Sequence, residues 1–315
     1  MNMVKAAEYI ALFLLFPGFL FSVAMGCLVG WIDRKVTARV QWRVGPPWYQ
    51  NFADMIKLLF YKETLMPEGV SKGIFLGMPL IAAASASLVS TMILVVNHAP
   101  GKGFIGDLIV IVYLLMIPPV ATMLGAFASR NTLASLGASR EMKMMLSYEL
   151  PFILALIVPV MKSGYAIKLG DILLYQEMNG AIIGSVSGSL SFMVMIICIQ
   201  AKLGLVPFDI PEAETEIMAG TFIEYSGKAL GILKAARAIL TFILPVIVMT
   251  LYMGGIKPGP GGFLKSISEY AAVVVMLVLI KNTNPRVRVD QALRFFWGPV
   301  TAISIVAVLA AYMGY

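Results

Sequence analysis

VPFDIPEAETEIMAGTFIEYSGK, residues 206–228, is the stretch around which the rest of the chain is arranged. It sets Asp209, Glu212, Glu214, Glu216 and Glu224 between two apolar runs. Carboxylates gathered so closely in an apolar chain need water, cationic partners or shared protons. Pro211 suits the first turn of a helix, and Glu212, Glu214 and Glu216 then lie where the helix dipole favours negative charge. On such a helix Glu212 and Glu216, four apart, share a face and repel each other when both are ionised. Repulsion of that kind keeps one member ready to hold a proton, as a relay carboxylate must. A solvated acidic loop opening a helix is the plainer reading of the same residues.

The surroundings of this stretch define the class of protein. Of 315 residues, 59% are hydrophobic and 13% charged, against about 25% charged in an ordinary soluble domain. Apolar runs long enough to cross a bilayer recur at 9–31, 74–97, 108–128, 144–161, 181–200, 238–254, 263–281 and 296–315. The fold expected is therefore all-α: one polytopic membrane domain, 1–315, with about eight transmembrane helices. The first run is too long for a cleaved leader and lacks its small-residue cleavage pattern, so it is read as a span. Large loops fall at 32–73, 129–143, 201–237 and 282–295. Within the first of these, Phe52, Met55, Ile56, Leu59 and Phe60 recur at helical spacing, giving an amphipathic segment that lies along the membrane or docks a partner.

Charge orients the spans. All Lys and Arg residues except Lys5, Lys102, Lys162, Lys168, Lys257 and Lys265 fall on the side of the four large loops. By the positive-inside rule those loops face the cytoplasm and both termini lie outside. The net charge of +7 belongs to this asymmetry; no basic block with interleaved aromatics points to nucleic acid. Cys27 and Cys198 both lie inside apolar runs and His98 is the only histidine, too few ligands for an iron–sulfur cluster or structural zinc in this chain. No nucleophile–base set, phosphate loop or dinucleotide fingerprint is present, so no catalytic centre is expected here. One charge stands out. Glu149 lies roughly 8 Å into the fourth span by helical rise, where an ionisable group marks a functional site. Ser147 and Tyr148 beside it could line a hydrogen-bonded pocket; a structural ion pair is the other reading.

Four separated stretches together resemble one family: DRKVTARVQWRVGP after the first span, SREMKMMLSYEL into the fourth, VPFDIPEAETEIMAGTFIEYSG after the fifth, and NPRVRVDQALRFFWGPV before the eighth. They are similar to the membrane component of respiratory complex I that is numbered 1 or lettered H, and to its counterpart in membrane-bound, energy-converting NiFe hydrogenases and sulfane reductases. The resemblance implies a membrane-anchoring and coupling subunit of an ion-translocating oxidoreductase, with no redox centre of its own. Its implied partners are a peripheral small subunit carrying an iron–sulfur cluster, a hydrogenase-like large subunit with a possible NiFe centre, and antiporter-like and small membrane subunits. Carried onto this sequence, Asp209, Glu212, Glu214, Glu216 and Glu224 form an acidic funnel and Glu149 begins an intramembrane proton relay. Asp33, Arg34, Lys35, Arg43, Arg140, Glu141, Arg286, Arg288 and Arg294 balance charge and hold the docking loops.

Two departures separate this chain from the quinone-using members. Asp33 stands before Arg34 and Lys35 where those sequences have Glu. Gly45-Pro46-Pro47 reaches Phe52-Ala53-Asp54 through only Trp48, Tyr49, Gln50 and Asn51, where those relatives carry a longer Gly/Pro-rich segment at their quinone entrance. The short link favours the hydrogenase or sulfane reductase branch. The alternative is the quinone-binding subunit of an NADH:quinone complex. A stand-alone secondary transporter is a third reading, without the paired broken helices and internal repeats of that class.

Overall fold

The computed structural model describes residues 10–257 and 259–315, apart from the side chains of Glu214, Thr215 and Pro260. Lys5 and the first residue of the 9–31 run lie outside the described residues. The helices are α1 (Phe19–Val40), α2 (Gln50–Ile56), α3 (Lys72–His98), α4 (Asp107–Ala128), α5 (Thr132–Lys162), α6 (Leu169–Asn179), α7 (Val186–Lys202), α8 (Gly227–Tyr252), α9 (Pro260–Thr283), α10 (Val289–Phe295) and α11 (Thr301–Tyr312). No strand occurs among the described residues.

Among the described residues, seven helical runs are long and apolar enough to cross a bilayer, and Val186–Lys202 is a shorter apolar helix. These eight follow the order of the eight expected spans, and the chain is a multi-pass membrane protein. Several helices carry internal prolines: Pro79 in α3, Pro118 and Pro119 in α4, Pro151 and Pro159 in α5, Pro245 in α8. Membrane helices tolerate these because neighbouring groups take up the freed carbonyls.

Hydropathy placed some helix ends wrongly. Helix α5 begins at Thr132, so most of the expected loop 129–143 is helix; its polar first turns were invisible to a search for apolar runs. Helix α8 likewise begins at Gly227. The fifth span starts at Val186 rather than 181 because Ser185 caps it, its hydroxyl accepting from Gly188 N at 3.1 Å. Helix α6 lies in what hydropathy reads as a loop. The amphipathic segment is helical as expected, α2 passing into a π-helical turn at Lys57–Tyr61.

The chain divides into two compact units. The first comprises Met1–Thr91, Tyr113–Met142 and Asp209–Ile243. Its core sets Phe75 and Tyr225 among Ala82, Ala83, Ala121, Ala229, Leu233 and Ala236. The two rings stack with centroids 4.2 Å apart and planes 3° from parallel. Tyr225 Oη donates to Phe75 O at 3.1 Å, and burial pushes this phenol up, so it remains a donor. Small residues let the backbones approach. A β-carbon on Gly26 of α1 would collide with Ala238 O of α8, and one on Gly125 of α4 would collide with Tyr225 Oη.

The Gly125 contact is testable. Gly125→Ala is expected to lower stability by about 1–3 kcal/mol through overpacking, and Tyr225→Phe by about 1 kcal/mol through the lost hydrogen bond. In the double variant the two losses should sum to less than their total, since removing Oη opens the space for the new methyl. Thermal melting of the purified protein reads this directly, and strict additivity would refute it.

The second unit comprises Met92–Val112, Lys143–Phe208 and Leu244–Tyr315. Ser191 Oγ and Tyr252 Oη both donate to Ala155 O, at 2.8 and 2.9 Å. Asp107 Oδ1 accepts from Leu169 N at 2.7 Å, at the start of α6. Helix α10 continues through a π-helical turn at Phe296–Val300 into α11. Pro299 lacks the N–H a regular turn would use, and Thr301 Oγ1 donates to Phe296 O at 2.6 Å.

Candidate functional site

The acidic stretch folds as a series of tight turns in the first unit. Pro211 opens a 3-10 turn, Ile210–Glu212, as its fixed φ favours. The helix expected to continue from it does not form: Ala213 adopts ψ 98° and breaks the chain before the single turn Glu214–Ile217. Met218, Ala219 and Gly220 then take positive φ in succession, 49°, 71° and 47°. This reverses the chain into the 3-10 turn Gly220–Phe222. Glu212 and Glu216 therefore do not share a helix face, and each turns to its own guanidinium.

Glu212 Oε2 pairs with Arg237 Nη1 of α8. Glu141 of α5 and Asp209 lie in the field of the same guanidinium, and Glu141 also feels Glu212. Glu216 Oε2 meets Arg140 Nη1 of α5 at 2.5 Å. Glu224 Oε1 accepts from Asn131 Nδ2 at 2.5 Å, while Asn131 Oδ1 accepts from Leu133 N at 2.8 Å and caps α5. Gly137 of α5 allows the closest approach: a β-carbon there would sit 2.7 Å from Thr221 N. Of the carboxylates picked out by sequence, the side chain of Glu214 lies outside the described residues.

Two of the sequence motifs thus meet in this unit, the first through Arg140 and Glu141 of α5 and the second through the acidic stretch. The first-loop charges go elsewhere. Arg34 Nη1 lies 3.4 Å from Asp54 Oδ2, Lys35 Nζ donates to Val44 O at 2.9 Å, and Arg43 is exposed. Asp33, the residue before Arg34, keeps Oδ1 buried. Arg237 and Asn131 escaped sequence reading, the first because it sits at the end of the 201–237 loop and reads as a topology charge.

Glu149 stands in the second unit. Its Oε2 lies 3.4 Å from Lys202 Nζ at the end of α7, with side-chain exposures of 12% for Glu149 and 1% for Lys202. The ammonium also lies over two rings of α5, 4.4 Å from the Phe152 centroid and 5.3 Å from that of Tyr148. Aromatic faces stabilise a cation that water does not reach. Ser147 is taken up within its own helix, donating to Lys143 O at 2.6 Å, so the pocket beside Glu149 is aromatic and cationic, without that hydroxyl. Lys202 is a further residue that sequence did not pair.

Nearby, the last motif folds back onto the first residues of the 206–228 stretch. Val287 N donates to Pro207 O at 3.1 Å, and Phe208 packs against Phe296 at 4.8 Å and Phe295 at 6.0 Å. Arg286, Arg288 and Arg294 of this segment are exposed. Gln291 Oε1 accepts from Arg288 N at 3.1 Å, fixing the start of α10. No group of three or more His, Cys, Asp or Glu residues among those described is placed to hold a metal ion.

Known proteins resemble this chain over most of its length. The NADH-quinone oxidoreductase H subunit of Anoxybacillus flavithermus is 31% identical over 87% of this chain and 84% of its own length. The protein of the same name from Geobacillus kaustophilus is 29% identical over 95% and 93%. Among solved structures, a chain of the membrane-bound sulfane sulfur reductase, an archaeal respiratory membrane complex, superposes with a TM-score of 0.85 at 26% identity, covering 97% of this chain and 99% of that one. A family profile described as NADH dehydrogenase matches residues 10–312. With nearly its whole length matched, the chain belongs to the NADH dehydrogenase family of membrane subunits, whose complex I member is numbered 1 or lettered H.

Proposed function

We propose that this chain is the anchoring and coupling subunit of a complex-I-like, ion-translocating oxidoreductase of the sulfane reductase or hydrogenase type. The observation that carries the reading is the near end-to-end match to a chain of the sulfane reductase complex. The short first loop supports it. Trp31 Nε1 donates to Pro46 O at 3.2 Å and Asn51 Nδ2 to Cys27 O at 2.8 Å, drawing both ends of the link onto α1. In this reading the large loops face the cytoplasm and both termini lie outside. They receive a peripheral small subunit with an iron–sulfur cluster and a hydrogenase-like large subunit, beside antiporter-like and small membrane subunits. Cys27 and Cys198 are buried and offer a cluster no adequate ligand set, so the iron–sulfur and NiFe centres are assigned to those partners.

The chain's own part is electrostatic. Asp209, Glu212, Glu214, Glu216 and Glu224 take up or release protons as charge arrives in the docked partner, and Glu149 carries the response within the membrane. One unit of pKa change is worth about 1.4 kcal/mol, enough for coupled carboxylates to pass on a bias without large movement. The names of the sequence relatives favour a second reading, the quinone-binding subunit of an NADH:quinone complex. Gentle purification of the native complex separates the two. A hydrogenase-like pair with polysulfide reduction or hydrogen evolution is expected. Quinone reduction would establish the second reading, and a chain that purifies without partners would refute both.

A further inference from the structure

We propose that Lys202 is a positioning cation for the intramembrane carboxylate: it holds Glu149 ionised at rest and keeps its own charge when Glu149 takes up a proton. The inference deepens the relay reading above and rests on it for the source of that proton. Three observations carry it. The Lys202 side chain is almost fully enclosed, at 1% exposure, so its charge must be balanced from within the protein. Glu149 Oε2 supplies the counter-charge at 3.4 Å, and the faces of Phe152 and Tyr148 flank the ammonium. The other oxygen of the same carboxylate, Glu149 Oε1, is buried without a hydrogen-bond partner among the described residues. The carboxylate thus divides its work, one oxygen held by the cation and one left to accept.

The step balances simply. A proton arriving at Oε1 converts the carboxylate to the acid; nothing is oxidised, and the ammonium keeps its proton between the aromatic faces but loses its counter-charge, so the protonated state is the costly one. The pair passes from neutral to one net positive charge. In a water-poor interior that charge acts over a long distance, and this field is the output the site delivers.

Infrared difference spectroscopy on the complete purified complex tests the proposal through the C=O band of protonated carboxyls, together with ion uptake by proteoliposomes. Lys202→Met should gain a protonated-carboxyl band at neutral pH that is absent from the wild type and lost again in the double variant with Glu149→Gln. Its coupled uptake should fall about tenfold or more, as expected when an opposite charge at this range is removed. Lys202→Arg should show no new band and keep most of the uptake. Wild-type uptake with no new band in Lys202→Met overturns the proposal, and so does a loss in Lys202→Arg equal to that in Lys202→Met, which would assign the side chain to packing. If Lys202→Met does not assemble, the wild type and Glu149→Gln decide. A resting protonated-carboxyl band that Glu149→Gln removes would refute the proposal, and no such band would uphold it. Full coupling in Glu149→Gln would defeat the relay reading instead, while the band in Lys202→Met would still report the held charge.

Discussion

Arg237→Met is expected to release the acidic turn from α8 and to strip the peripheral subunits from the purified complex. The guanidinium contacts Glu212 and lies in the field of Glu141 and Asp209, so its loss strips Glu212 of its paired cation and leaves Glu141 and Glu212 to repel each other. The pair is partly open, with side-chain exposures of 36% and 28%, and the cost is correspondingly below that of a fully buried pair: about 2–3 kcal/mol. Arg237→Lys keeps the charge but not the planar fork, and about half the loss should remain. Adding Glu212→Gln to Arg237→Met should recover stability, because it removes one of the stranded charges. Limited proteolysis at 209–226 and the retention of partner subunits read the outcome. Resistance equal to the wild type in Arg237→Met would mean that other contacts hold the turn.

Glu149→Ala should have the largest effect of any single change. It leaves the enclosed Lys202 ammonium without its counter-charge, and breaking a buried pair from one side costs about 3–5 kcal/mol. The complex is expected to lose thermal stability and yield accordingly. Glu149→Gln separates that structural cost from function. The amide keeps the shape and an oxygen that can accept from the ammonium, so the complex should assemble, whereas an amide cannot take up the relayed proton and coupled ion uptake should be lost. Equal melting temperatures for the alanine variant and the wild type would dismiss the buried pair, and coupled uptake undiminished in the glutamine variant would dismiss the relay.

Much of this was legible in the chain because hydropathy and charge are local properties. A run such as 238–254 declares itself a span by composition alone, and the carboxylates of 209–224 stand out from any apolar background. Pairing is not local. Lys202 lies 53 residues from Glu149 and Arg140 76 from Glu216, and nothing in a one-dimensional pattern joins them. The helical reading of Glu212 and Glu216 failed for a related reason. Pro211 does start a turn, but the chain breaks at Ala213 and reverses through the left-handed residues 218–220, and at 220–221 it packs against α5, a demand that helix propensity does not register. The polar start of α5 was hidden because a search for apolar runs stops where the charges begin, although the hydrogen-bonded helix does not.

At Gly137 the backbone of α5 meets that of the turn at 220–221 with no room for even a methyl group between them. Most contacts between protein elements are cushioned by side chains that can change rotamer and absorb a small displacement. This one has no such cushion. It is a rigid bearing: a shift of the acidic turn by a fraction of an ångström cannot be lost locally and must appear as a shift of the helix that bears on it.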